Sequence, residues 1–443
     1  MAAGKFSASL ELAPEASFGS LAASSFSSID VSALTFQACE VAMDSTAFGS
    51  DGRDEMAYQT EMVTGAIGGE LPEVETMFSV STPQQRMTGT FSFRFPWRSS
   101  GAGTAHTSTW LHYLLASSMD SVTESVNTAM TITGGTAGSP EVSSADGATV
   151  DVGQVVAYDY LGTSTGRREY SRVTSITTVG PTATLTLFPA LPAAPTPAEV
   201  LRLCHTYVPV VGAPAGASLA FRSRTTTYSW VATGCRLESL SISQAGGPSG
   251  KTMEAVATVR ATLVQQITTG SVTALVLSQT GKRVQHFASC SSTADFSAVP
   301  APVTAARTSL QCGQWGAEIA FALVSNISSA DIRGATGMDV GTPTCTVSPV
   351  LDPGSNGSDY VSFVDGRRLT RWQPLVVAAN GPLTAGNGMA VMLNRMSIDA
   401  MPAMAMERDT SLFTPTLSAA SYAGDAASAA VTRNKPWCLA LVA

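Results

Sequence analysis

Apolar and polar positions alternate along much of the chain, most clearly between Leu219 and Val264. Leu219 and Phe221 share one parity against Ala220 and Arg222, and Tyr228 and Trp230 share a face of the next run. After Gly234, Cys235 and Leu237 set a phase that switches to Leu240 and Ile242. Ala255, Ala257, Val259, Ala261 and Leu263 then oppose Val256, Thr258, Arg260 and Thr262. Period-two alternation rich in Val and Thr predicts three antiparallel strands, and the Gly/Ser/Pro-rich Gln244–Lys251 predicts the turn between the last two.

The same periodicity predicts further elements. Phe91, Phe93, Phe95 and Trp97 lie on one face of a strand whose Pro96 suits an end or an edge. Leu34 and Phe36 start a strand that reaches about Val41. Trp110, Leu111, Leu114 and Leu115 form a helical stripe, so a short helix is expected over 109–117 with Thr107 or Ser108 as its cap. Trp315, Ala317, Ile319, Phe321 and Leu323 make a second strong strand. Cys345 with Val347, Leu375–Val377, and Met389 with Val391 and Leu393 offer more.

The expected fold is mainly β, an antiparallel β-sandwich or barrel with one short helix. Residues 1–30 are Ala/Ser-rich and read as an N-terminal arm. Residues 31–134 with 204–270 form the first β domain. Residues 135–203, flanked by Gly/Ser/Pro-rich stretches, are a small inserted β-barrel, and 271–443 form a second β-rich domain. The acidic stretch 44–75 is long for a loop within a compact domain and reads as a two-stranded flap.

Composition narrows the function classes. Charged residues make up 13% of the 443, hydrophobic residues 44%, and the formal net charge is −8. The acids concentrate in residues 1–80, where Lys5 and Arg53 are the basic residues. A phosphate-gripping protein needs a basic patch, and none is evident. No apolar run approaches a membrane span, and the N-terminus lacks the pattern of a secretion signal, so synthesis in the cytoplasm and no membrane partner are expected.

Candidate chemistry is sparse, and neither an enzyme nor a cofactor is expected. Ala245–Thr252 fits a relaxed Walker A pattern, but the segment after it alternates with period two and makes a poor helix; a hairpin loop is the expectation. The seven cysteines, Cys39, Cys204, Cys235, Cys290, Cys312, Cys345 and Cys438, show no C-x-x-C pair and read as buried thiols. His106, His112, His205 and His286 have no metal-binding spacing, and His112, on the Leu-rich helix, reads as structural. Cys204 and His205, adjacent on a strand, point to opposite faces and form no dyad. Glu73 and Glu75 are a weak carboxylate pair.

The order of features resembles the tail tube proteins of long-tailed bacteriophages. The resemblance rests on Leu34–Val41, the long polar stretch 44–75, Gly89–Trp97, Ser99-Ser100-Gly101, Trp110–Leu115, Gly234-Cys235 to Ile242, Gly246–Gly250 and Met253–Val264. It implies a virion structural protein, assembled in the host cytoplasm, whose copies form trimeric or hexameric rings that stack into a tube. Its partners would be itself, other tail proteins, and duplex DNA that slides through without specific binding. It also implies that residues 271–443 are a second tube-like copy or a decoration domain. By their chemistry, Glu61, Glu70, Glu73 and Glu75 are candidates for bore or inter-ring contacts. The alternatives are another virion module (a tail terminator, baseplate or capsid decoration protein) and a nucleotide-binding enzyme using Ala245–Thr252.

Overall fold

The computed structural model describes residues 9–19, 31, 33–41, 57–62, 85–98, 106–122, 129–160, 167–224, 229–244, 253–267, 287–293, 307–327, 335–353, 358–368, 373–380, 388–401, 405–407, 410–420 and 435–442. The protein is mainly β and antiparallel throughout. The chain begins with β1 (Ser9–Pro14), β2 (Gln37–Ala38), β3 (Ala57–Met62), β4 (Gln85–Pro96), α1 (Trp110–Ala116) and β5 (Met119–Val122). There follow β6 (Ala129–Thr136), β7 (Ser139–Ser143), the one-turn α2 (Ser144–Gly147), β8 (Val155–Tyr160), β9 (Arg167–Val179), β10 (Thr182–Phe188) and β11 (Val200–Pro209). Next come β12 (Leu219–Arg224), β13 (Ser229–Gln244), β14 (Met253–Ala261), β15 (Leu263–Ile267), β16 (Phe287–Thr293), β17 (Arg307–Leu310), β18 (Cys312–Ala320) and β19 (Leu323–Ile327). The remainder holds β20 (Ala335–Val340), β21 (Thr344–Leu351), α3 (Ser358–Arg368), β22 (Gln373–Asn380), β23 (Gly388–Ala400), β24 (Ala405–Glu407), β25 (Thr410–Leu412), β26 (Thr416–Ala419) and β27 (Trp437–Val442).

β13 organises the first lobe. One of its edges carries the β14–β15 hairpin partner along its whole length. Its other edge is divided: the first half pairs with β12, and Ser239–Ile242 pair with β18. The division falls where the sequence changes phase. Gly234 has φ +61°, and the register with β14 shifts between Leu237 and Ser239. An extra residue in one strand turns the following side chains to the opposite face, which is the switch from Leu237 to Leu240. β12, with β1 and β2 beyond it, then stacks over β4 and β14. Phe221 of β12 meets Phe91 of β4 edge-to-face at a centroid distance of 5.1 Å, closing the sandwich.

The interior of this lobe uses the positions the alternation exposes. Phe91, Phe93, Phe95 and Trp97 are all buried, each contributing about 1.5–3 kcal/mol by leaving water. Trp110, Leu111, Leu114 and Leu115 of α1 join the same core. The helix cap is Thr109, whose side chain accepts from the His112 N–H at 3.3 Å; the expected Thr107 and Ser108 lie just before it, in the 3-10 turn His106–Ser108. The strand expected from Leu34 to Val41 is short, with Gln37 and Ala38 alone in ladder geometry. Ser9–Pro14, within the segment read as an arm, is β1, with Leu10 and Leu12 buried against the sandwich core.

The middle lobe is a barrel. β6 pairs with β7, β7 with β10, β10 with β9, β9 with β8, β8 with β11, and β11 with β6, closing the ring. Its interior is filled by residues such as Ile132, Val142, Tyr158, Leu185 and Leu201. β11 leaves this ring at Leu203 and continues between β5 and β27, so one strand serves two lobes.

The third lobe closes by the same logic. β17 and β18 are separated only by Gln311. β16 pairs with β17, β18 with β21, β21 with β26, β26 with β23, β23 with β22, and β22 with β16. The expected apolar parity of Trp315, Ala317, Ile319, Phe321 and Leu323 is buried throughout, as are Cys345, Val347, Leu375, Met389, Val391 and Leu393. Trp315 donates its indole N–H across the interior to the Ala378 carbonyl at 2.9 Å. Among the described residues no helix is long and apolar enough to cross a membrane.

Candidate functional site

The β13–β18 pairing makes one continuous face from two lobes. Register aligns Phe95, Ala255, Ile242, Ala317, Val347 and Leu417 on the inner side of neighbouring strands, all buried. One residue along, the outward row reads Arg94, Val256, Ser241, Glu318, Thr346 and Ser418. The next outward row is Ser92, Thr258, Ser239, Ala320 and Thr344. This face is flat in chemistry: small side chains, hydroxyls and few charges. Ser92 and Thr258 share a hydroxyl hydrogen bond of 2.9 Å. Arg94 and Arg260, on the β4–β14 part of the face, have acidic neighbours. Arg94 lies 3.9 Å from Glu254, and Arg260 pairs with Glu238 while also donating to the Leu323 carbonyl at 3.1 Å. Glu318 is exposed.

These residues were not singled out in the sequence, although their signal is present. They are the polar parity of strands whose apolar parity was legible; which strands stand side by side was not. Of the acidic candidates, Glu61 lies in β3 with its backbone opposite Arg86 of β4. Glu70, Glu73 and Glu75 lie outside the described residues. The Walker-like segment Ala245–Thr252 also lies outside them. It joins β13 to β14, which are antiparallel neighbours, whereas a phosphate-binding loop runs from a strand into a helix.

Three of the four histidines meet between the first lobe and β11. His106, in a 3-10 turn ahead of α1, lies 5.0 Å from His205 ring to ring, and His112 of α1 lies 5.1 Å from His205. His112 Nδ1 and the Tyr207 hydroxyl are 3.0 Å apart. His205 is fully buried, and neither of its ring nitrogens has a hydrogen-bond partner among the described residues. Burial, reinforced by the neighbouring His112, lowers His106 to about 3; burial lowers His112 to about 4; and burial with both neighbours holds His205 well below the usual imidazole range. All three are neutral at pH 7 and pack as aromatic rings. Among the described residues no group of three or more His, Cys, Asp or Glu is arranged to hold a metal ion.

The adjacent Cys204 faces the other way, into a core shared by the barrel's outer surface and the sheet of β22, β23 and β27. That contact carries a buried ion cluster. Arg168 of β9, fully buried, donates through Nε to Asp159 Oδ1 at 2.6 Å and through Nη2 to Oδ2 at 3.1 Å. Arg202 of β11 donates to the same carboxylate at 2.9 Å. Asp159 of β8 therefore sits between two guanidinium groups, one from β9 and one from β11. Tyr170 beside them is buried, which pushes its phenol well above its ordinary value. Gly388 lies directly beneath it, where an added Cβ would meet the Tyr170 hydroxyl.

No family model matches the chain, and no curated protein matches it.

Proposed function

We propose that this chain is a virion structural protein that assembles into stacked rings forming the tail tube of a long-tailed bacteriophage. The observation that carries the reading is the sheet shared across β13 and β18. Two lobes that are distant in sequence supply neighbouring strands of one sheet, with an apolar side turned into the protein and a small-residue polar side turned outward. A conduit for DNA requires such a face. Its described cations stand beside carboxylates, so they offer phosphates little net attraction, and serine, threonine and alanine present a smooth surface. The order of features in the first lobe is the second support. Glu61, Glu70, Glu73 and Glu75, together with Glu318, are the acids we assign to the bore or the ring-to-ring contact.

Negative-stain electron microscopy of the purified protein across a concentration series tests the reading. Hollow rings that stack into tubes with a bore wide enough for duplex DNA are the expected result. A single closed ring of fixed height would shift the assignment to a terminator or baseplate module. Monomers at every concentration, together with retention of duplex DNA at moderate salt, would count against it.

A further inference from the structure

We propose that the contact of the His106–Ser108 turn and α1 with β11 is an acid-operated latch: protons entering the cluster of His106, His112 and His205 release the turn and helix from β11 while the surrounding strands stay paired. The three rings come from the two sides of one contact, His106 and His112 from the turn and helix, His205 from the strand. Their centroids are 5.0, 5.1 and 6.2 Å apart. His205 is fully buried with both ring nitrogens unpartnered among the described residues, and the buried His106 has an unpartnered Nε2. An imidazolium at either position would have donors with no acceptor and would stand beside two like rings.

The described groups that face the cluster supply no counter-charge. β11 contributes Tyr207, whose hydroxyl is 3.0 Å from His112 Nδ1, and α1 contributes Tyr113 beside His112. β27 sets Leu441 opposite His205 and Leu439 opposite Tyr207. β5 sets Ser121 opposite Tyr207; its Asp120 lies opposite Val208, on the other side of the strand, and accepts from the Ala215 N–H at 3.2 Å. The charges on the other neighbours of the turn and helix are engaged elsewhere. Glu11 of β1 is ion-paired with Arg222, Glu40 beyond β2 is paired with Arg98 at 2.6 Å, and Arg236 of β13 donates to the Ser117 carbonyl just past the helix. Burial lowers His106 to about 3 and His112 to about 4, and holds His205 well below the usual range. Released to solvent, each ring returns toward its ordinary value near 6.5. The open form therefore takes up as many as three more protons than the closed form as the pH falls from 6.5 toward about 4. The closed form is fully favoured above pH 6.5, and the open-to-closed ratio rises by up to about a thousand-fold for each pH unit lost within that window. The inference is independent of the tail-tube reading.

The test is amide hydrogen exchange of the full chain, read by mass spectrometry from about pH 7 down to about pH 4.5 and corrected for the intrinsic pH dependence of exchange. Peptides covering 106–117 should lose protection steeply with acid while those from β13 and β14 keep theirs, and protection should return at neutral pH. His205→Phe keeps an aromatic ring but removes one proton site. It should leave the segment protected at pH 7 and reduce the slope of its opening by about one proton. Unchanged protection of 106–117 across the range, loss in step with β13 and β14, or an unaltered slope in His205→Phe would overturn the proposal. A histidine titration of the unmodified protein by NMR needs no variant, so a misfolding substitution would not obscure the answer. Three of the four histidines should titrate together and steeply, and independent titrations near 6.5 would sink the latch.

Discussion

At Gly234 a single residue decides how the sheet divides. Its φ of +61° is left-handed, and its N–H is held by the buried Glu15 carboxylate at 3.1 Å. That carboxylate also accepts from the Ser218 hydroxyl at 2.6 Å and the Gly19 N–H at 3.1 Å. A Cβ at position 234 would lie 2.8 Å from Thr262 Oγ1, at the bend between β14 and β15. Gly234→Ala should therefore cost about 1–3 kcal/mol, from strain and crowding combined, measured by urea denaturation. The histidine cluster makes a second residue-scale prediction. Each imidazole binds its proton at lower pH in the folded protein than in the unfolded chain, where the ordinary value is near 6.5. Stability from this cluster is complete above pH 6.5. It falls as the pH drops toward about 4 and then about 3, because the unfolded chain takes up protons first. His106→Gln should flatten the dependence of the urea midpoint between pH 6.5 and 4; an unchanged slope would refute the assignment.

At the scale of elements, the barrel is attached through charge as well as apolar contact. Asp159→Asn removes the carboxylate charge that stands between Arg168 and Arg202 while leaving both guanidinium groups in place. Breaking one side of a buried ion cluster costs about 3–5 kcal/mol, and the loss should appear in chemical denaturation. Gly388→Ala tests the same interface from the sheet side. The side chain it adds would displace Tyr170, and a penalty of about 1–3 kcal/mol is expected. An unchanged midpoint for both variants would show that this interface contributes little. The elements themselves were largely legible. Phe91 to Trp97, Trp110 to Leu115 and Trp315 to Leu323 are amphipathic at their own period, and the period fixes which side is buried. The bulge after Leu237 was visible as a phase switch, because a change of parity is the local signature of an inserted residue. β1 was not legible. Ser9–Pro14 has only Leu10 and Leu12 as apolar markers, and its place is fixed by β12 and β2.

At the scale of the whole molecule, three lobes share strands. β11 belongs to the barrel and to the sheet beside β5 and β27. β13 belongs to the sandwich and, through β18, to the third lobe; β27 closes the C-terminus between β11 and β23. A strand cannot be half ordered without exposing its ladder groups, so the lobes should unfold together. Differential scanning calorimetry is expected to show one transition. Separate transitions would show that the shared strands do not couple the lobes.

By itself the sequence determined the mainly-β class, the buried parity of the strong strands and the short Leu-rich helix. These are properties of neighbours along the chain, set by side-chain period and backbone preference. Only the tertiary structure decided which strands stand side by side. It paired Ser241 with both Val256 and Glu318 and brought three spaced histidines into one cluster. Pairing depends on register between segments tens to hundreds of residues apart. Alternating strands of similar composition satisfy many registers locally, and only closure of the barrels and burial of their faces selects one.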